Sequence, residues 1–371
     1  MSEFSINQEI VDDPKCWDNI FSEPIDWSYI SAYGTLSEDF IRKFQNQLNW
    51  GFISVHQKLS EDFIKEFSNR VDWYFISEYQ TLSENFIREF KDKVNWTLIS
   101  SNSLSEDFIR EFQDKVNWYY VSMHRFLSLD LIREFQNELN WCFISQYYKL
   151  SEDFIREFKD RVNWYNISIY QKLSEDFIRE FQNKIDWNFI FINQKLSEDF
   201  IREFKDEVSW VYISKYQKLS ESFIREFKDK VINVAAYQKL SDSFLKEFNL
   251  EKPKNNWLYA TIEEKREKVK DIYEINGDYV IAYKSTRIDG SSVFNFQYQY
   301  EVGKTYESHC DCNLEEENSF GLSAWTKENA LNYYPGGKLF KIRIHLDDMG
   351  AITSDSKLRA KKIEILEEIN V

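Results

Sequence analysis

The chain has 371 residues, 43% of them hydrophobic and 18% aromatic, and its 63 acidic against 47 basic side chains give a formal net charge of −16. That apolar content excludes a disordered chain, and the charge argues against direct nucleic-acid binding, because phosphate contacts need Lys or Arg to displace counterions. No apolar run approaches the 18 or so residues of a membrane span, and MSEFSINQEIVDD carries acids where a secretory leader would carry bases, so a cytoplasmic location is expected. Cys16, Cys142, Cys310 and Cys312 are too scattered for a disulfide framework and are expected to be reduced.

Residues 1–35 hold seven acids against Lys15 and contain a degenerate copy, IDWSYISAY, of the phrase that dominates the chain. They read as an N-terminal cap whose acids solubilise a terminal face. From 36 to 256 the phrase LSEDFIREF...NWxxIS recurs, with its leucine at Leu36, Leu59, Leu82, Leu104, Leu127, Leu150, Leu173, Leu196, Leu219 and Leu240. Steps of 21 to 23 residues between these leucines are the mark of a solenoid, in which one supersecondary unit stacks on the next.

One repeat, Leu36 to Lys58, predicts a helical hairpin. Ser37 is an N-cap, Glu38 and Asp39 face the positive end of the helix dipole, and Leu36 and Ile41 form a hydrophobic staple. Phe40, Ile41, Phe44 and Leu48 recur at helical spacing over about three turns, with Glu38 and Arg42 paired at i,i+4. Asn49 then caps a shorter second helix. The β propensity of stretches such as WYFIS is outweighed by the lack of alternation and by the absence of Pro between Pro24 and Pro253. The expected fold is mainly α, a solenoid of about ten 23-residue helical hairpins followed by a small α+β domain. At roughly 8 to 10 Å between helices, the array would run on the order of 100 Å in contour.

Comparison among repeats separates framework from surface. The tryptophans from Trp27 to Trp210 hold one position, followed three residues on by Ile or Val, which belong to the core. Four after Trp stands Ser, a small side chain that permits close helix approach; the exception is Phe191, which should bend the stack locally. Variation concentrates one, five and six residues after Trp. These positions nominate Tyr74, Tyr79, Tyr119, Met123, Tyr147, Tyr165, Tyr170 and Tyr216 as protein-binding residues, since aromatic ridges anchor interfaces. The alternative is that they fill gaps between repeats.

Residues 257–274 read as a closing and connecting helix, and 275–371 as the α+β domain. Strands are expected in DYVIAYKSTR, YEVGKTYESH, KLFKIRIHL and KLRAKKIEIL, and a helix capped by Thr326 in KENALNYY. His309, Cys310 and Cys312 are metal-ligand types, but one Cys pair without a second is a weak metal pattern, and the acids Glu315, Glu316 and Glu317 read as a solvated loop. No phosphate loop or nucleophile elbow appears. No catalytic residue, cofactor or metal is therefore predicted.

The repeats resemble the short Trp-containing helical repeats of uncharacterised proteins from phages, mobile elements and giant DNA viruses, through LSEDFIREF and NWxxIS over about residues 25–257. YEVGKTYE, SFGLSAWTKENAL and KLFKIRIHLDDMGAI resemble an uncharacterised phage and prophage domain. The order of strands and helix there is also similar to the ADP-ribosyltransferase fold, in which GLSAWTKENA would border the nicotinamide pocket; Lys284 and Arg287, the basic residues of the first strand, depart from that family's pattern. The resemblance to the viral repeats implies a non-catalytic scaffold in the host cytoplasm. Such a scaffold would block a basic nucleic-acid-handling host protein such as a defence nuclease or CRISPR effector. An ADP-ribosyltransferase-like enzyme with a targeting arm and a virion assembly protein are the alternatives.

Overall fold

The computed structural model describes residues 26–124, 126–293, 298–315, 319–353 and 356–370. The expected terminal cap lies mostly outside them, as do Cys16, Glu316 and Glu317. The chain is mainly helical, a regular array of Trp-led and Glu-led short helices followed by a small antiparallel domain. It divides into two compact units at the Asn140–Trp141 junction.

In the first unit, helices Glu38–Lys43, Glu61–Glu66, Glu84–Glu89, Glu106–Glu111 and Leu129–Glu134 alternate with helices beginning at Trp27, Trp50, Trp73, Trp96 and Trp118. The Glu-led helix is six residues long and not the expected three turns. Phe44 leaves the helical region at φ −106° so that its ring can pack on Phe40 at 4.7 Å and Trp27 at 5.2 Å, and a turn then closes from Gln47 N–H to Phe44 O at 3.0 Å. The predicted caps form: Ser37 Oγ accepts from Phe40 N–H at 3.2 Å and Asn49 from Phe52 N–H at 3.2 Å. Phe40, Ile41, Ile53, Phe63, Ile64 and Ile76 are essentially inaccessible and share one apolar cluster with Leu36 and Leu48. Each such side chain contributes about 2 kcal/mol through burial.

Helices this short cannot stand alone, so their unpaired backbone groups are satisfied by the next repeat. Ser60 N–H donates to Glu38 Oε1 at 2.7 Å, and Ser83, Ser105 and Ser128 donate likewise to Glu61, Glu84 and Glu106. Arg42 reaches forward to Glu66 at 2.8 Å while covering the Phe63 ring at 5.0 Å. The serine four after Trp is more than small: Ser54 Oγ donates to Trp50 O at 2.7 Å and accepts from Asp72 N–H of the next repeat at 3.0 Å. Gln57, seven after Trp50, is buried and reaches back, donating to Gly34 O at 2.7 Å and Ser31 O at 3.2 Å and accepting from Leu36 N–H at 2.9 Å.

The second unit repeats this seam with Gln171, Gln194, Gln217 and Gln238. Phe191 is fully buried, stacked on Trp187 at 5.5 Å, and Gln217 still bonds to Phe191 O at 2.6 Å. At the end of the array Tyr259 takes the glutamine's place, donating to Gln238 O at 2.9 Å. Trp257, Val269 and Tyr273 belong to the core of the α+β domain, so segment 257–274 is built into that domain as well as into the last repeat. Its helix, Ile262–Val269, is held by the Thr261–Glu264 capping box.

Two antiparallel sheets make the α+β domain. The larger has the order β1 (Glu274–Asn276), β2 (Tyr279–Ser285), β5 (Leu339–His345), β8 (Lys362–Ile369), β3 (Thr305–Glu307), and the smaller the order β4 (Leu322–Ala324), β7 (Leu358–Ala360), β6 (Met349–Ile352). The Thr326-capped helix, Lys327–Tyr333, and strands within the four expected segments are present, but KLRAKKIEIL breaks at Lys361 into β7 and β8, which join different sheets, while β1, β4 and β6 are too short to have shown alternation. A bridge between Tyr283 and Trp325, with N–H to O distances of 2.8 and 2.9 Å, joins β2 to the end of β4.

Candidate functional site

Two features are open to a partner: the outer face of the Trp-led helices and a cleft beside the α+β domain. In a Trp-led helix the residue three after Trp faces the core and the one directly after it faces outward, a consequence of the 100° step per residue. Tyr74, Tyr79 and Tyr119 are each about half exposed (51, 54 and 52%), Met123 is 40% exposed, and Phe126 in the following turn is 74% exposed. Their rings are braced by neighbours: Tyr74 meets Phe75 edge-on at 5.5 Å, and Tyr119 meets Tyr120 at 5.4 Å. Such bracing holds a large amphipathic surface in place at low entropic cost. The Tyr79 hydroxyl keeps its proton beyond the usual tyrosine range because Glu78 lies beside it.

In the second unit the nominated residues divide. Tyr165 is 55% exposed and packs edge-on against Phe189 of the next repeat at 5.1 Å. Tyr147 and Tyr170 are half-buried, Tyr147 stacking on Phe143 at 5.9 Å. Tyr216 is also half-buried, its ring 4.6 Å from Phe320 of the α+β domain and under Lys215. It serves an internal joint rather than an open surface. His309 completes that joint, stacking on Phe320 at 5.4 Å with its Nε2 2.9 Å from Lys215 O.

That placement bears on the metal-ligand residue types in HCDC. His309 turns to the repeat array, whereas Cys310 and Cys312 are buried beside each other. Among the described residues no three His, Cys, Asp or Glu side chains converge as a metal site would require. The hydrogen bond with the neighbouring Cys312 thiol, and then burial, push Cys310 far up, while the same hydrogen bond lowers Cys312 to about 7.

The cleft, about 900 Å³, lies between the repeats around Leu173–Tyr216 and the face where β2 meets β4. Its floor carries Lys284 near the end of β2. This side chain is 6% exposed; its Nζ donates to Ser323 O at 2.8 Å and lies 4.8 Å from the Tyr300 ring centre. Burial, reinforced by Lys357, lowers the Lys284 ammonium to about 7. Arg287, three residues on, turns aside to Val293 O at 3.1 Å. The Trp325 and Tyr333 rings, stacked at 4.2 Å, form one wall. Sequence reasoning noted Lys284 but missed the cleft, because the residues that meet there are separated by up to 185 positions, from Lys172 to Lys357. It also passed over the glutamine seam, although Gln seven after Trp is a visible regularity. No helix among the described residues is long and apolar enough to cross a membrane.

Comparison with family models, with curated proteins and with solved structures finds no match to this chain.

Proposed function

We propose that the protein is a non-catalytic repeat scaffold that binds another protein, of the class that handles nucleic acid through a basic groove, and blocks that groove. The observation that carries this reading is the set of braced, half-exposed aromatic side chains on the helices led by Trp73 and Trp118, Tyr74, Tyr79 and Tyr119, with Met123 and Phe126 beside them. A surface of this kind supplies anchors for apolar pockets, and a net charge of −16 supplies steering toward a basic partner. The acids at the fourth position of the LSED phrase add to that field, since Asp107, Asp153, Asp176 and Asp199 side chains are all more than 90% exposed. A phage or viral origin, as the repeat resemblance implies, would make the partner a host defence nuclease or CRISPR effector.

Photo-crosslinking side chains placed at Tyr79 and at Tyr119 test this, with one at the half-buried seam residue Gln80 as the control. Capture of one and the same protein from both exposed positions, released by raised salt and by competing nucleic acid, is the expected result. Capture that is equal at the control position, or that nucleic acid leaves untouched, overturns it.

A further inference from the structure

In a chain with a net charge of −16, the cleft of the second unit collects, among the described residues, four cations, Lys172, Lys195, Lys284 and Lys357, against one lining carboxylate, Glu307. The two rim lysines, Lys172 and Lys195, are exposed, and Lys284 lies at the floor. A buried ammonium ordinarily finds a carboxylate. Among the described residues Lys284 has one hydrogen-bond acceptor, the backbone oxygen of Ser323, and one ring face, that of Tyr300. An ammonium has three donors, so two remain for a group entering the cleft. Lys265 shows the contrast: equally buried but remote from the cleft, it spans Asp347 O at 3.0 Å and Met349 O at 2.8 Å and thereby ties a helix to the sheet.

The rest of the lining suits a planar body. Trp325 stacks on Tyr333, and Tyr298 lies parallel to Tyr300 at 6.0 Å and 13°. A cleft of about 900 Å³ is at the upper end of the range for small-molecule sites. It has room for a ring, a linker and an oxyanion together. Lysines approaching from several sides act as point charges on a multiply charged, near-spherical anion, for which phosphate is the fitting group.

We propose that this cleft is a binding site for a small aromatic phosphate of mononucleotide size, its phosphoryl oxygens taken by Lys284 with the rim lysines Lys172 and Lys195, and its ring held against the aromatic wall. This site is independent of the protein-binding reading. It carries a proton signature. The titratable and charged groups that line the cleft with Lys284 are, among the described residues, Lys172, Lys195, Lys357, Tyr216, Tyr298, Tyr300, Tyr333, His309 and Glu307. Burial holds Tyr300 and Tyr333 above, and His309 below, their ordinary values, which keeps all three neutral near pH 7. Lys284, at about 7 in the empty cleft, is then the group that gains charge when a phosphate arrives, so binding takes up a proton.

Calorimetric titration of the full chain tests this with AMP and UMP as probes, adenosine as the ring alone and inorganic phosphate as the anion alone. The expected result is saturable nucleotide binding, at least tenfold weaker for both partial probes. Proton uptake on binding should grow from pH 6.5 to 8.5. Lys284→Met should reduce affinity at least tenfold and abolish the uptake attributable to the amine. Should Lys284→Met misfold, the exposed pair Lys172→Ala with Lys195→Ala carries the test, with a several-fold loss expected. Adenosine or phosphate binding as tightly as AMP, no saturation by either nucleotide below about 1 mM, or lysine variants that bind like the unaltered chain would each overturn the proposal.

Discussion

The repeats led by Trp50 and Trp73 differ from those led by Trp96 and Trp118 in their polar seam and hardly at all in their apolar spine. Ile53, Ile76, Ile99 and Val121 are all inaccessible. Yet the first pair have helices of seven residues, Trp50–His56 and Trp73–Tyr79, and the second pair helices of four, Trp96–Ile99 and Trp118–Val121. The first pair carry Gln57 and Gln80 seven after Trp; Ser103 and Arg125 stand there in the second, and Arg125 lies outside the described residues. His124 takes over part of the task, its half-buried ring held by the backbone of Ser100 and Ser101, where a glutamine would bond, while its Nε2 has no partner among the described residues. Hydrophobic burial is thus sufficient to stack a repeat, and the glutamine adds a polar seam to it without by itself setting helix length, since Trp141–Tyr147 runs seven residues with Tyr148 in the glutamine's place.

The strongest way to break the comparison is to remove a rung from a regular repeat. Gln171→Ala strands Leu150 N–H and the carbonyls of Ser145 and Tyr148; with unsatisfied buried groups costing roughly 1–3 kcal/mol each, a local loss of about 3 kcal/mol is expected. Hydrogen exchange of the amides in Trp141–Tyr170 reads it. Ser77→Ala removes the hydroxyl that joins Trp73 O to Asn95 N–H at 2.6 and 2.9 Å, and should cost about 1–2 kcal/mol by the same measurement.

A smaller effect separates the two repeat types by pH. Burial lowers His124 below its ordinary 6.5, so the neutral ring is the one the fold accepts. Its contribution is complete above 6.5 and is lost as the pH falls through the lowered value. Once corrected for the intrinsic slowing of exchange at lower pH, protection in the Trp96–His124 stretch should therefore fall between pH 7 and 5 while that of Trp50–Tyr79 holds steady, and His124→Asn should remove the difference. Smallest is the effect of the exposed carboxylates. The Ser128 and Ser241 caps and the facing arginines hold Glu106 and Glu221 below the usual carboxylate range. Their stabilisation is present above about 4.5 and fades as the pH drops through the lowered values. Glu221→Gln should flatten the acid limb of a melting-temperature profile slightly and leave the neutral limb unchanged.

Periodicity made the array legible. Ser-Glu-Asp-Phe-Ile phrases announce an N-cap, two first-turn carboxylates and a buried pair whatever surrounds them, and the structure keeps all three features. Helix length was not legible, since Phe44 leaves the helix to reach Trp27, a contact between repeats. The half-exposure of Tyr74, Tyr119 and Tyr165 follows from their place one step past Trp. That Tyr216 would instead meet Phe320 depends on where a distant domain docks. Lys284 illustrates the same limit, for a strand pattern marks it as one residue in seven and only the convergence of Ser323 and Tyr300 makes it a buried cation.

The carboxylate of Glu38 reaches forward to the backbone of Ser60, and Arg42 reaches forward to Glu66. Every such link has the same sense, so a repeat has a giving edge and a receiving edge that are chemically unlike. A copied module fits only head to tail, and any gene slippage that duplicates one whole unit delivers it already in that orientation. The chain's near-identical modules are what a fold would accumulate if lengthening itself cost almost nothing.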